Sequence, residues 1–539
     1  MSIDTIKSSK KIRSVTMLIL DGWGLSPSWG GNAIAMNNPP NITSFWRKYP
    51  HKILHAFRPI AGESKNVANS EIGHASISTG RMINQDITDI NASIKNGSFY
   101  HNTVLFDAIY NTKENNSNLH LIGMISDGAV HSHINHLYAL LKLAKTQNIK
   151  NVYIHAILDG RDVESNTAIK FIHDLEEKIT KIGVGKIATL CGRYFAMDRN
   201  ENWKQIETFY RSLILREGRQ EKDPLPAISK LYREGFSDEF VPPIILSTDG
   251  KIKNKDSVIV FNYRADRVRQ LTQAFCDKKV FSALFARKYP LLDINFTTMT
   301  NYKLPLPNVN IAFASAIIQS NISKILSDHG YKQLHAAESE KYAHVTYFFN
   351  GGQEEPYSGE DRLIVKSPKV ASYNLKPEMS AYELTAKLVS NITSKKYQFI
   401  VANFANVDMV GHTGDILAAS RAVEAVDKCV GKIANEVLKS DGVMIITADH
   451  GNAEQMLTLK TFSMDLETLH SLNPVPFILV DKTRQKNLFK NVSKPENFIL
   501  SDILSSTNTL ADVAPSILEL FGIAKPTDMT GHSLLGELE

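Results

Sequence analysis

Three cysteines in 539 residues, Cys191, Cys276 and Cys429, are too few and too widely spaced for a disulfide framework or a cysteine-built zinc site. They read as reduced thiols. Long apolar runs are lacking as well: none reaches the roughly 20 residues of a membrane span, and the N-terminus has no apolar signal core. Neither sign of charge dominates. Lys and Arg number 61 against 56 Asp and Glu, a net +5 with no patch or arm of the kind that grips nucleic acid. The cluster Lys7, Lys10, Lys11 and Arg13 reads as a solvated lead-in to the first strand. Low-complexity tracts and short-period repeats are missing. These absences leave a globular chain, expected in the cytoplasm, with neither nucleic acid nor membrane as a partner and length for roughly two to four domains.

What is present is a recurring figure. The apolar run 15–20 ends at Asp21-Gly22-Trp23-Gly24, the run 397–403 leads to Asp408, and the run 443–447 ends at Ala448-Asp449-His450-Gly451. Each reads as a buried strand with an aspartate beyond its carboxyl end. These runs alternate with helix-length periodic segments, 418–438 the clearest, so an α/β sheet is expected. Ligands of open α/β sheets sit at the carboxyl ends of strands, where residues remote in sequence converge.

The middle of the chain repeats this layout with other chemistry. The run 119–125 is followed by Asp127, Ala129, His131 and His133, and 151–158 by Asp159-Gly160-Arg161-Asp162. The run 186–190 is followed by Arg193 and Arg199, and 256–262 by Arg264-Ala265-Asp266-Arg267. The change from acidic to basic strand ends marks a domain division. Residues 1–86 and 311–539 are expected to form an acidic α/β domain, and residues 87–310 a basic α/β domain inserted into it and left through the proline-punctuated stretch 301–307.

In the acidic part, Asn69-Ser70-Glu71-Ile72-Gly73-His74 sets a serine among small and polar residues, as for a hydroxyl exposed on a tight turn. Asp408 and His412 flank Gly411, with Gly414 beyond, so a loop is expected there rather than a regular helix. Singly, an aspartate at a strand end is mostly a cap, and a histidine mostly a packed or surface residue. Together Asp21, Asp408, Asp449, His412, His450 and His470 make an oxygen and nitrogen set suited to two divalent cations, manganese or zinc, with no cysteine for a structural zinc. Metals roughly 3.5–4 Å apart lower the pKa of a coordinated hydroxyl in phosphoryl transfer. Ser70 is the hydroxyl expected there. In the basic part, Arg161, Arg193, Arg199, Arg264 and Arg267 suit an anion carrying phosphate and carboxylate, which guanidinium forks bind in a bidentate way.

Asp21-Gly22-Trp23-Gly24, Asn69 to His74, 403–414, Asp449-His450-Gly451-Asn452-Ala453-Glu454 and His470 with Asn473-Pro474-Val475-Pro476 resemble, in order and over nearly the whole chain, the cofactor-independent phosphoglycerate mutases of the alkaline phosphatase superfamily. The resemblance implies an α/β fold of two domains, an alkaline-phosphatase-like metal domain with a second α/β substrate-binding domain inserted. It implies one metal on Asp21, Ser70, Asp449 and His450 and another on Asp408, His412 and His470, with manganese the usual ion. His131, Arg161, Asp162, Arg193, Arg199, Arg264 and Arg267 match substrate-binding positions, and Lys341 would bridge metals and substrate. Asp162 matches the general acid/base; its plainer reading is a salt bridge to Arg161 or another nearby arginine. Glu71 and His74 are left to shape the turn around Ser70.

The implied activity is interconversion of 3- and 2-phosphoglycerate through a phosphoserine, without bisphosphoglycerate, by a monomer. Ala68 and Ala129 stand where glycine is common, and 75–79 and 200–204 depart from the usual residues, but no charged or metal-binding group is lost. The competing readings are a metal-dependent phosphatase or phosphopentomutase-like enzyme, against which the basic residues argue, and an inactive metal-binding scaffold, against which the full ligand set argues.

Overall fold

The computed structural model describes residues 14–27, 31–57, 69–83, 86–284, 293–302, 304–314, 320–460, 463–485 and 506–538. Lys7, Lys10, Lys11, Arg13 and Ala68 lie outside the described residues. The chain forms two compact units, residues 1–84 with 317–539, and residues 85–316.

The first unit is built on seven strands in the order Glu360–Val365, Gln333–Glu338, Phe399–Phe404, Val15–Leu20, Val443–Thr447, Val475–Val480 and His51–Leu54. The first five are parallel, whereas Val475–Val480 runs against both its neighbours. Every residue of the central strand Val15–Leu20 is buried, as in a parallel sheet covered on both faces. The register puts Leu20 opposite Phe404 and Ile19 opposite Thr447, so these strands end level with one another. Asp21, Asp408 and Asp449 follow those ends. Phe477 lies opposite Thr447 on the antiparallel strand, so its preceding loop, which carries His470, enters at the same edge. The 24-residue helix Ile416–Lys439 packs a face of small residues, among them Ala418, Ala422 and Val426, into this core, and Asp415 caps it at Ala418 N–H, 3.0 Å away.

The second unit is built on eight strands in the order Val309–Phe313, Asn295–Thr300, Ser257–Val260, Leu119–Met124, Val152–Leu158, Lys186–Gly192, Ile244–Ile245 and Arg219–Gln220. Neighbours are parallel except Lys186–Gly192 against Ile244–Ile245. The edge strand Val309–Phe313 carries this unit past the proline-punctuated stretch. Side chains alternate between two cores: Leu119 and Leu121 face one, Ile122 and Met124 the other. Met124 is level with Ile157, and Leu158 with Gly192, so His131, Asp162 and Arg193 all follow strand ends on one edge. Among the described residues, no helix is long and apolar enough to cross a membrane.

Candidate active site

Ser70 is not an exposed turn residue. It is buried as the first residue of the helix Ser70–Thr79, because the Asn69 side chain accepts the Ile72 N–H at 2.9 Å and caps the helix, and Gly80 closes it in the left-handed conformation. Small residues permit the close approach: a Cβ on Gly73 would stand 2.6 Å from the Asp449 carbonyl oxygen. Asp408 and His412 also depart from expectation. They lie on a short helix, Asn406–Gly411, with His412 as its cap, since the glycines come only at its end. Four residues apart on one helical turn, both face the same way.

The first-unit site converges on Ser70 Oγ. It donates to Asp21 Oδ1 at 3.3 Å, lies 2.9 Å from His450 Nε2 and accepts from Lys341 Nζ at 2.8 Å. The Lys341 ammonium also donates to Asp21 Oδ1 at 2.8 Å and Asp408 Oδ2 at 2.7 Å. Asp408 Oδ1 lies 3.2 Å from both His412 Nε2 and His470 Nε2, which are 3.0 Å from each other. Asp449 Oδ2 is 3.6 Å from His450 Nε2. The structure thus brings together Asp21, Ser70, Lys341, Asp408, His412, Asp449, His450 and His470. The His412 side chain is 39% exposed while Asp21 and Asp449 are sealed, so the Asp408–His412–His470 group is the open edge of the cluster.

Electrostatics make this cluster a candidate cation site. Burial, then the charge of Asp449, raises the Asp21 carboxyl above its usual range. Burial also works against Asp408 and Asp449, but Lys341 with His412 and His470 holds the first well below that range, and His450 with His74 holds the second down. Burial would lower the Lys341 ammonium; Asp21, Asp408 and Asp449 more than offset it and raise it. Three buried carboxylates share this one ammonium, and imidazole nitrogens converge on the same oxygens. That donor set fits hard divalent ions bound by oxygen and nitrogen.

Residues that sequence reasoning passed over also stand here. His74 is fully buried, its Nδ1 2.8 Å from the Ser70 carbonyl oxygen and 3.2 Å from Asp449 Oδ2, so it does more than shape a turn. Asn403 donates to Asp21 Oδ2 at 2.7 Å, and Asn452 to Asp408 Oδ1 at 2.9 Å. A polar residue in an otherwise apolar strand was the available signal for Asn403. Glu71 stays outside the cluster, on the first turn of its helix.

In the second unit, Arg193 is buried and donates from Nη1 to Asp159 Oδ1 and Asp162 Oδ2, both at 2.7 Å. Asp162 therefore pairs with Arg193, while Arg161 lies 3.5 Å from Glu239. Asp159, another residue without an expected role, also accepts from the backbone N–H groups of Arg161 and Asp162 and from Ser126 Oγ. Arg199 and Arg264 pair with Asp266, and Arg267 donates to the Met197 carbonyl oxygen. The side chains of Arg161, Arg199 and Arg264 are more than half exposed, which leaves their guanidiniums open to an anion. Burial pushes His131 down to about 3; Asp266 opposes this, and Arg193, Arg264 and Arg267 reinforce it, so the ring is neutral near pH 7. Ala129 adopts a left-handed backbone at φ 57°, the conformation that makes glycine common at such a position.

A model described as "BPG-independent PGAM N-terminus" matches residues 90–304, and one described as "Type I phosphodiesterase / nucleotide pyrophosphatase" matches residues 376–473. The second match and the metal-ready cluster define an enzyme of the alkaline phosphatase superfamily. A protein of Clostridium botulinum (strain ATCC 19397 / Type A) named 2,3-bisphosphoglycerate-independent phosphoglycerate mutase is 46% identical over 528 residues, 97% of this chain and 99% of its own. One of the same name from Clostridium acetobutylicum is 44% identical over the same shares. The crystal structure of Leishmania mexicana phosphoglycerate mutase at low cobalt concentration is similar at a TM-score of 0.69, with 28% identity and 98% of each chain covered. The chain belongs to the 2,3-bisphosphoglycerate-independent phosphoglycerate mutase family, which are isomerases. Family and fold imply dependence on divalent metal, in keeping with the donor set above.

Proposed function

We propose that this chain interconverts 3-phosphoglycerate and 2-phosphoglycerate through a phosphoserine on Ser70, without bisphosphoglycerate and with two manganese ions. The observation that carries the reading is the Ser70 hydroxyl at the meeting point of Asp21, His450 and Lys341. Asp21, Ser70, Asp449 and His450 would hold one ion, and Asp408, His412 and His470 the other. Bound divalent ions supply charge that lowers the proton affinity of the serine hydroxyl and offsets that of the phosphoryl group.

The remaining work falls to side chains. Ser70 Oγ, which would give up its proton to solvent once the ions are bound, bonds to phosphorus as the glycerate oxygen leaves, and Asp162 in its protonated form gives that oxygen its proton. In the return step Asp162 takes a proton from the other glycerate hydroxyl, which recovers the phosphoryl group. Lys341, already donating to Ser70 Oγ, donates to the phosphoryl oxygens. Arg161, Arg193, Arg199, Arg264 and Arg267 hold the anionic groups, and neutral His131 hydrogen-bonds the substrate. The unit of residues 1–84 with 317–539 serves as the metal domain and the unit of residues 85–316 as the substrate-binding domain of a cytoplasmic monomer. The arginine-rich corner favours this reading over a phosphatase, because it gives glycerate reason to stay bound while it reorients.

The test is a coupled assay of purified protein in manganese, free of bisphosphoglycerate, with metal content measured alongside. Isomerisation with about two ions per chain is expected. A strict need for bisphosphoglycerate, or heavy uptake of labelled free glycerate during turnover, would refute the scheme.

A further inference from the structure

Glu454 is fully buried in the first unit, and its hydrogen bonds come from neutral donors on three separate loops. Its Oε2 accepts the Gly24 N–H at 3.1 Å and the Asn452 N–H at 2.8 Å. Its Oε1 accepts from Asn473 Nδ2 at 3.0 Å and from the Ser471 hydroxyl. These are the loops that carry Asp21, Asp449 with His450, and His470. The contact also reaches the helix bearing Asp408, since the Asn452 side chain donates to Asp408 Oδ1 at 2.9 Å. The Ser471 N–H bonds the Gly451 carbonyl oxygen at 2.9 Å and ties two of the loops together beside the carboxylate.

Two glycines are explained by this arrangement. A Cβ on Gly24 or on Gly451 would collide with the Glu454 carboxylate, so both backbones close directly around it. Both oxygens of Glu454 are occupied by donors, which excludes it as a metal ligand itself. A carboxylate suits the position because it only accepts. A glutamine could keep the Gly24 and Asn452 bonds through its oxygen, but its amide N–H2 would then face the Asn473 amide donor.

We infer that Glu454 is a positioning residue: it sets the loops of Asp21, His450 and His470 against one another before a divalent ion arrives. The inference rests on the proposed function only in taking the cluster to bind divalent ions. A ligand set ordered in advance does not spend binding energy on ordering, and losing such supporting hydrogen bonds typically costs about 10–100-fold in metal affinity.

The experiment titrates metal-free protein with manganese by calorimetry, with thermal unfolding of the metal-free state in parallel, for wild type, Glu454→Gln and Asn473→Ala. Glu454→Gln should bind about 10–100-fold more weakly and Asn473→Ala several-fold more weakly, with unfolding temperatures close to wild type. A merely structural role would lower the unfolding temperature and leave affinity unchanged. Folded Glu454→Gln binding manganese like wild type overturns the inference. If Glu454→Gln does not fold, Asn473→Ala, which leaves the carboxylate in place, decides it by the same comparison. Wild type that takes up no manganese overturns the metal reading, and this inference with it; normal uptake by wild type and variants alike overturns this inference alone.

Discussion

Lys341 Nζ lies 2.8 Å from Ser70 Oγ, and the same ammonium holds Asp21 and Asp408. Without divalent ions it is the cation that keeps these buried carboxylates compatible. Lys341→Met should therefore destabilise the metal-free protein by about 3–5 kcal/mol, the cost of leaving buried charge unpaired. Manganese should restore much of the loss, because ions bound to the folded state stabilise it. Thermal unfolding in chelator and in manganese checks this; a metal-free variant as stable as the parent would contradict it.

Ser70→Ala should abolish isomerisation and leave no labelled phosphoprotein after brief exposure to labelled phosphoglycerate and acid quench. Turnover retained in the metal-loaded variant would sink the serine mechanism.

Asn69→Ala removes the cap that seats Ser70 at the start of its helix. A loss of about 1 kcal/mol in stability is expected. Activity should fall further than that loss explains, since the nucleophile shifts with the first turn. Equal activity at a lowered unfolding temperature would show that the cap does not position the serine.

Asp162→Asn can keep a hydrogen bond from Arg193 but cannot take up or release a proton. Steady-state kinetics should show kcat down by about 10²–10⁴ with KM changed only a few-fold. A rise in KM with kcat intact would make Asp162 a binding residue.

Burial pushes the Glu338 carboxyl up to about 7, from 4.5, against the opposing Ser380 N–H. The folded state thus holds this proton more tightly than the unfolded chain. Its stabilising contribution is complete below 4.5 and is lost as pH rises through about 7. Glu338→Gln, neutral throughout, should be more stable than the parent by on the order of 3 kcal/mol near pH 8, and the gap should close towards pH 5. Unfolding temperatures across that range test the sign; a gap that stays constant would refute it.

The strands that lead to the two sites were legible because each is a short apolar run with an abrupt polar end, and Val443–Thr447 has the bounds its composition suggests; edge strands such as Glu360–Val365 and Arg219–Gln220, with charged residues and no apolar run of that length, were not. The ligand residues were legible for the same reason, since the parallel register makes strand ends converge. Local backbone at the site was not. Glycines beside Asp408 and Ser70 read as loop signals, yet both residues sit on helices, because Asn69 supplies a cap and Gly73 accommodates a neighbouring backbone. Ion pairs were legible only in kind. That Asp162 meets Arg193 and not Arg161 depends on the bend of the Asp159-Gly160 turn, where Gly160 has φ 70°.

The central strand Val15–Leu20 has a consequence for synthesis. Its two neighbours begin at residues 399 and 443, and the other early strand, His51–Leu54, pairs with Val475–Val480. Among the described residues up to 83, neither strand therefore has a partner. At about 5–20 residues per second, roughly 20–80 s pass before Phe399–Phe404 emerges beside it. The unit spanning 85–316 has all its strands by then, and can fold while an apolar strand waits with both edges open. Both early strands thus keep open edges until their partners at 399–404 and 475–480 have been made, long after the second unit can close its own sheet.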